Sequence, residues 1–224
     1  LSLFNLKKND AFGIFEIGMD KKGEIDYLSK IIKPDVGVIT NISYAHIKNF
    51  ENINQIALAK SEIIKNIKEG GYLILNKDDK FYNFHKNIGL KKNLKILSFS
   101  LKNKAATAYL DSVIKQKSKY KISININKIK KYFYLNSFFE NDLKNLLASI
   151  TIISIFKDIQ KLDKNIFYDH KETGGRGDIV KVKLFKKFFY LVDESYNSNP
   201  LSLNSALKNF DMIKVDNSKK HLIL

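Results

Sequence analysis

The sequence contains no cysteine, two prolines and one arginine. Without cysteine there are neither disulfides nor thiolate zinc sites, which fits a reducing compartment. No apolar run approaches the length of a membrane span, and the first residues lack the charged-then-apolar order of a signal peptide. The scarcity of arginine qualifies the charge. A formal charge of +16 points towards nucleic acid or an anionic surface. Yet of 39 basic residues Arg176 alone is arginine, and the lysines are scattered among Asn and Ile. Nucleic-acid readers cluster their charge and favour arginine for bidentate contacts. The scatter reads instead as an AT-rich coding bias on the surface, so no nucleic-acid partner is expected.

What is present is a globular pattern. At 224 residues and 44% hydrophobic content, the chain holds one large domain or one and a half ordinary ones. Short apolar runs at residues 12–17, 36–39, 72–75 and 95–99 alternate with helical stretches. The first of these helices carries Ile25, Leu28, Ile31 and Ile32 as its inner face and stops at Lys33-Pro34, because the residue before proline disfavours the helical region. A polar helix is expected from about residue 78 to 86. Strand–helix alternation with short turns predicts an α/β fold, a mostly parallel sheet with helices on both faces. Residues 105–139 alternate in the manner of an antiparallel meander, and a helix from 142 to 156 follows. The lysine-rich stretch 157–171 reads as a linker. A strand at 188–192, a helix opening at Pro200 and a last strand at 221–224 read as a second βαβ start. The chain begins at Leu1 and ends on an apolar run, so it reads as an internal piece of a longer protein.

The segment 36–65 (VGVITNISYAHIKNFENINQIALAKSEIIK) carries the first chemical clue. A buried strand ends in Thr40-Asn41, where open α/β sheets place their ligands. The helix after it has apolar residues at Ile53, Ile56, Ala57, Ile63, Ile64 and Ile67, and Lys60 falls among them. An inward lysine is paired, neutral or modified, because an unpartnered buried ammonium costs several kcal/mol; the alternative is snorkelling. Its amine, once desolvated, can form a Schiff base or react with CO₂ to a carbamate. Glu16, at the end of an apolar run and before Gly18, suits a hard cation or is a solvated acid. His46 is a metal or phosphate contact or an ordinary loop histidine. Asn41 bonds a phosphate or caps a turn. Arg176, between glycines in a chain that otherwise uses lysine, suits phosphate or carboxylate. The loop Asp193-Glu194-Ser195-Tyr196-Asn197-Ser198-Asn199-Pro200 joins a strand to a helix, with Asn199 as cap, and makes a nucleotide-facing element.

These pieces, in this order, resemble the Mur ligases. The matching stretches are Glu16-Ile17-Gly18-Met19 with Gly23-Glu24-Ile25, Thr40-Asn41-Ile42 with Ala45-His46, Ala59-Lys60-Ser61-Glu62-Ile63, Asn76-Lys77-Asp78-Asp79, Gly175-Arg176-Gly177, and the loop from Asp193. That loop resembles the family's DDSYNANP, which marks the type of Mur ligase that takes D-alanyl-D-alanine. The resemblance implies an ATP-dependent amide ligase of peptidoglycan precursor synthesis that uses Mg²⁺ and acts in the cytoplasm as a monomer. It would join D-alanyl-D-alanine to UDP-N-acetylmuramoyl-tripeptide through an acyl phosphate. By the same resemblance Glu16 and His46 are magnesium ligands, and Lys60 is a carbamylated lysine that positions a second magnesium. Asn41, Asn145, Arg176, Asp193, Tyr196 and Asn197 attend ATP. Residues 1–170 correspond to the central ATP-binding domain and 171–224 to the start of a Rossmann-like C-terminal domain.

Two departures stand out. The family's His-Asn-x-x-Asn appears as Asn141-Asp142-x-x-Asn145, which leaves only the last position for adenine. No Gly-x-x-x-x-Gly-Lys-Ser/Thr loop is present; in the family it precedes Glu16. The chain alone is therefore expected to be inactive. A folylpolyglutamate-synthase-like ligase is the enzymatic alternative, opposed by Tyr196-Asn197-Ser198-Asn199-Pro200. A basic nucleic-acid-binding module is the non-enzymatic alternative.

Overall fold

The computed structural model describes residues 5–43, 49–117, 119–136, 140–168, 175, 177–196 and 200–213. The chain divides into two compact units, residues 1–42 with 46–98, and residues 43–45 with 99–224. The first holds helix α1 (Glu24–Ile32), strand β1 (Val36–Ile39), helices α2 (Ile53–Lys60) and α3 (Glu62–Asn66), strand β2 (Tyr72–Asn76) and helix α4 (Tyr82–Lys91). Strand β3 (Lys95–Ser100) begins there and ends in the second unit. That unit adds β4 (Ala108–Gln116), β5 (Lys119–Ile126), β6 (Ile129–Leu135), α5 (Glu140–Phe156), the hairpin β7 (Asp178–Leu184) and β8 (Lys187–Asp193), and α6 (Pro200–Met212).

Six strands form one sheet in the order β1-β2-β3-β4-β5-β6. β1 pairs parallel with β2 and β3 with β4, whereas β4, β5 and β6 form the antiparallel meander. Leu73, Ile74 and Leu75 of β2 are all at most 1% exposed. Successive strand residues point to opposite faces, so both faces of β2 are covered, as the continuous apolar run predicts. On one side Leu73 and Leu75 join Ile39, Ile56, Ala57, Ile64 and Ile67 in a single apolar core. Gly37 lets β1 lie against the end of α3, since a Cβ there would meet the Ile67 side chain at 2.5 Å.

Several expectations are corrected. Residues 12–17 belong to neither sheet, and Phe12 and Ile14 are 56% and 95% exposed. An apolar run becomes a strand only where a ladder partner meets it, so residue preference alone does not decide. α1 turns Ile25 and Ser29 inward and leaves Leu28 and Ile31 exposed. The cause is polar: Asn66 Nδ2 donates to Ser29 Oγ at 2.9 Å and to Asp26 Oδ1 at 3.0 Å, which fixes the rotation of α1 against α3. Residues 157–168 are docked against β6. Lys131 Nζ donates to the carbonyls of Gln160 and Leu162 at 2.8 Å each, and Phe167 meets Phe133 edge-on with ring centroids 5.2 Å apart. Buried Ile159 and that aromatic pair outweigh the lysine-rich composition that suggested a linker. Strand β7 is not among the expected elements, and the expected second βαβ start opens instead as an antiparallel hairpin. Its two-residue turn, Phe185-Lys186, has φ of 46° and 64°, the left-handed pair that matches strand twist. Residues 221–224 lie outside the described residues.

Candidate active site

The first unit brings three segments together at the carboxyl ends of β1 and β2. After Ile39 the chain runs through Thr40 and Asn41 to Ile42; after Asn76 it turns through Asp79 into α4; and α2 ends on Lys60. A small pocket there is lined by Asn41, Asn76, Asp79, Tyr82 and His85, with Ile39 and Leu75 as its apolar part. This is where a parallel sheet presents loops to a ligand.

Lys60 is half-buried, and its Nζ donates to the Asn41 carbonyl at 2.9 Å. Burial lowers its ammonium below the ordinary lysine value, and the negative charge of Asp79 opposes that shift. The misfit lysine is thus partnered by a neutral carbonyl. The helix breaks directly after it. Ser61 Oγ donates to the Leu58 carbonyl at 2.6 Å, and α3 starts at Glu62.

Glu62 is buried and structural. Its carboxylate accepts from the Gly23 N–H at 2.9 and 3.1 Å and from the Asp26 N–H at 3.1 Å, capping α1 from another helix. Glu24 organises the same turn, accepting from the Asp20 and Lys21 N–H groups at 2.6 and 3.0 Å. Two of the motif residues thus serve the scaffold.

Asp79 and His85 were missed as site residues. Asp79 Oδ2 accepts from the Ile42 N–H at 2.8 Å and Oδ1 from the Phe81 N–H at 2.8 Å. His85 is 2% exposed, and its Nε2 lies 3.0 Å from the Ala57 carbonyl. A carbonyl only accepts, so Nε2 carries the proton. Burial holds the imidazole below its usual pKa, and the Ala57 bond opposes this. Asp79 stood inside a quoted motif; His85 gave no signal beyond being a polar residue on a helix.

The second unit brings together the glycine-rich turn and the loop from Asp193. Gly177 N–H donates to the Asp193 carbonyl at 2.7 Å, and Tyr196 N–H donates to the Gly175 carbonyl at 3.0 Å. Gly175 has φ of +80°, and a Cβ there would meet Tyr196 N at 3.0 Å, so this close approach requires glycine. Asp193 Oδ1 accepts from the Ser195 N–H at 3.0 Å, and the Ser195 hydroxyl and amide hold its carboxyl below the usual carboxylate range. Tyr196 is 62% exposed, and Asn145 is exposed on α5. His46, Arg176 and Asn197 lie outside the described residues.

Glu16 is exposed and, like Lys60, does not line the small pocket at the ends of β1 and β2. Among the described residues no group of three or more His, Asp or Glu is gathered around a point that could hold a metal. A magnesium ion keeps much of its water and needs only one or two carboxylates, so an exposed Glu16 suits its donor chemistry. Both oxygens of Asp79 already accept backbone N–H groups.

Residues 1–153 match the Mur ligase middle domain. The UDP-N-acetylmuramoyl-tripeptide–D-alanyl-D-alanine ligase of Rickettsia prowazekii (strain Madrid E) is 31% identical over 222 residues, 97% of this chain and 47% of that protein. A crystal structure of MurF from Acinetobacter baumannii superposes with a TM-score of 0.81 at 23% identity, over 95% of this chain and 45% of that one. The MurF ligase of Thermotoga maritima in complex with ADP does so with a TM-score of 0.71 at 21% identity, over 87% and 43%. The chain spans about half the length of the curated relatives it matches. With its middle-domain match covering most of the sequence, this chain belongs to the Mur ligase family.

Proposed function

We propose that this chain forms the central part of an ATP-dependent amide ligase that joins D-alanyl-D-alanine to UDP-N-acetylmuramoyl-tripeptide in the cytoplasm, acting as a monomer. The observation that carries the reading is Lys60: a half-buried amine on a neutral acceptor, at the carboxyl ends of two parallel strands. The family resemblance and the ligase named in Rickettsia prowazekii support the same assignment. No helix among the described residues is long and apolar enough to cross a membrane.

In this reading the tripeptide carboxylate takes the γ-phosphoryl of ATP, and the amine of D-alanyl-D-alanine then displaces phosphate from the acyl phosphate. Bound magnesium would supply positive charge to offset that on the transferred phosphoryl group. Glu16 and His46 would hold one ion, and Lys60, as a carbamate, would orient a second. Asn41, Asn145, Arg176, Asp193, Tyr196 and Asn197 attend the nucleotide. Residues 1–170 form the ATP-binding domain and 171–224 open the next.

Phosphate release dependent on ATP, tripeptide substrate and D-alanyl-D-alanine tests the proposal in the full-length protein; this chain alone is expected to show none. Lys60→Ala should lower kcat by about a hundredfold or more, the scale on which one preorganised electrostatic group counts. Short carboxylic acids should restore part of the rate. Full activity of Lys60→Ala without added acid would refute the role of Lys60.

A further inference from the structure

A single peptide group connects Lys60 with the turn before α4. The Asn41 carbonyl accepts from Lys60 Nζ at 2.9 Å, and the N–H across the same bond, that of Ile42, donates to Asp79 Oδ2 at 2.8 Å. An N–H donor faces the oxygen and a carboxylate faces the hydrogen, so each contact polarises the peptide in favour of the other, and Lys60 keeps an N–H for this bond as an ammonium or as a carbamate. Turning the peptide over would set its oxygen against the carboxylate and its N–H against the Lys60 N–H. The Asp79 carboxylate is itself locked, because the Phe81 N–H holds its other oxygen at 2.8 Å. Further along α4, His85 Nε2 donates at 3.0 Å to the Ala57 carbonyl. That carbonyl also accepts the Ser61 N–H at 3.0 Å, within the helical turn that carries Lys60. α4 and the turn before it therefore grip both the strand-end loop and the lysine's own helix.

We propose that Asp79 is a positioning residue of the ligase site: it orients the Asn41–Ile42 peptide and through it places Lys60 Nζ, while His85 braces the helix that carries the lysine. The proposal rests on Lys60 being a site residue, as argued above. Asparagine at position 79 would keep the shape but present an N–H₂ group as readily as an oxygen, so it would no longer dictate which way the peptide faces.

Amide hydrogen exchange on this chain reads the clamp directly. In Asp79→Asn the Ile42 amide should exchange about tenfold faster or more, while the Leu73 and Leu75 amides keep their rates. An unchanged Ile42 rate, or equal acceleration at all three, overturns the proposal. In the full-length ligase the same substitution should lower kcat by roughly 10–100-fold, the usual effect of losing an outer-shell partner. KM for ATP should stay within about threefold. A rise in KM that matches the fall in kcat would make Asp79 a general structural residue and overturn its positioning role. The exchange result does not depend on Lys60 carrying a carbamate, so failure of the ligase reading would show separately, as a fully active Lys60→Ala.

Discussion

Around Lys60 the fixing contacts reach across the fold: Glu62 to Gly23, Asp79 to Ile42, His85 to Ala57. Around Asp193 they run between adjacent ends of one hairpin, Gly177 to Asp193 and Tyr196 to Gly175. The partners also differ in burial. Glu62 and His85 are 6% and 2% exposed, whereas Tyr196 is 62% exposed. The first group shares the apolar core that holds Ile56 and Ile64, and its geometry is maintained by the stability of that core. The second is shaped by a two-stranded ladder, an arrangement that is marginal by itself. One group cannot be disturbed without disturbing the fold, and the other can.

Substitutions can break that contrast. Glu62→Ala should have the largest effect on stability. It leaves the Gly23 and Asp26 N–H groups without their acceptor, at a cost of about 2 kcal/mol, and the thermal midpoint should fall accordingly. The next effect is on pH dependence. His85 has its folded-state pKa lowered by burial, so the unfolded chain takes up a proton before the folded one does. Stability should decline as pH falls below about 6.5 and level off below the lowered folded value. His85→Gln, which keeps a donor but does not titrate, should flatten that part of a denaturation–pH profile. Tyr196→Ala should change stability least, by less than about 0.5 kcal/mol, while weakening ATP binding measured by calorimetry on the full-length protein. The contrast fails if Tyr196→Ala costs as much stability as Glu62→Ala.

Much of this was legible in the sequence because it depends on local pattern. β1, β2 and β3 are short apolar runs bounded by Pro34, by Gly70-Gly71 and by polar turns, and α5 follows from the spacing of Leu143, Leu146, Leu147 and Ile150. The apolar face of α2 beside Lys60 was legible for the same reason; the lysine itself is half-buried, and its bond to Asn41 lies at an exposed position. Features that depend on a distant partner were not. The orientation of α1 is decided by Asn66, and residues 12–17 carry a strand pattern without a ladder. The break at Ser61 follows no glycine or proline. The β7–β8 turn uses Phe185-Lys186 where glycine or asparagine would have signalled it, and β7 passed unnoticed. Asp79 and His85 take their meaning from Ile42 and Ala57, 37 and 28 positions away.

The clamp on the Asn41–Ile42 peptide acts entirely through main-chain atoms at that peptide. The division of labour is therefore clean: the backbone of Asn41 belongs to the scaffold, and its exposed side chain has no part in those two bonds. Selection can vary the group presented at this strand end to suit what approaches it without redesigning what supports it. For protein engineering, position 41 is an address where a new functional group can be installed on a frame that any residue other than proline or glycine leaves intact.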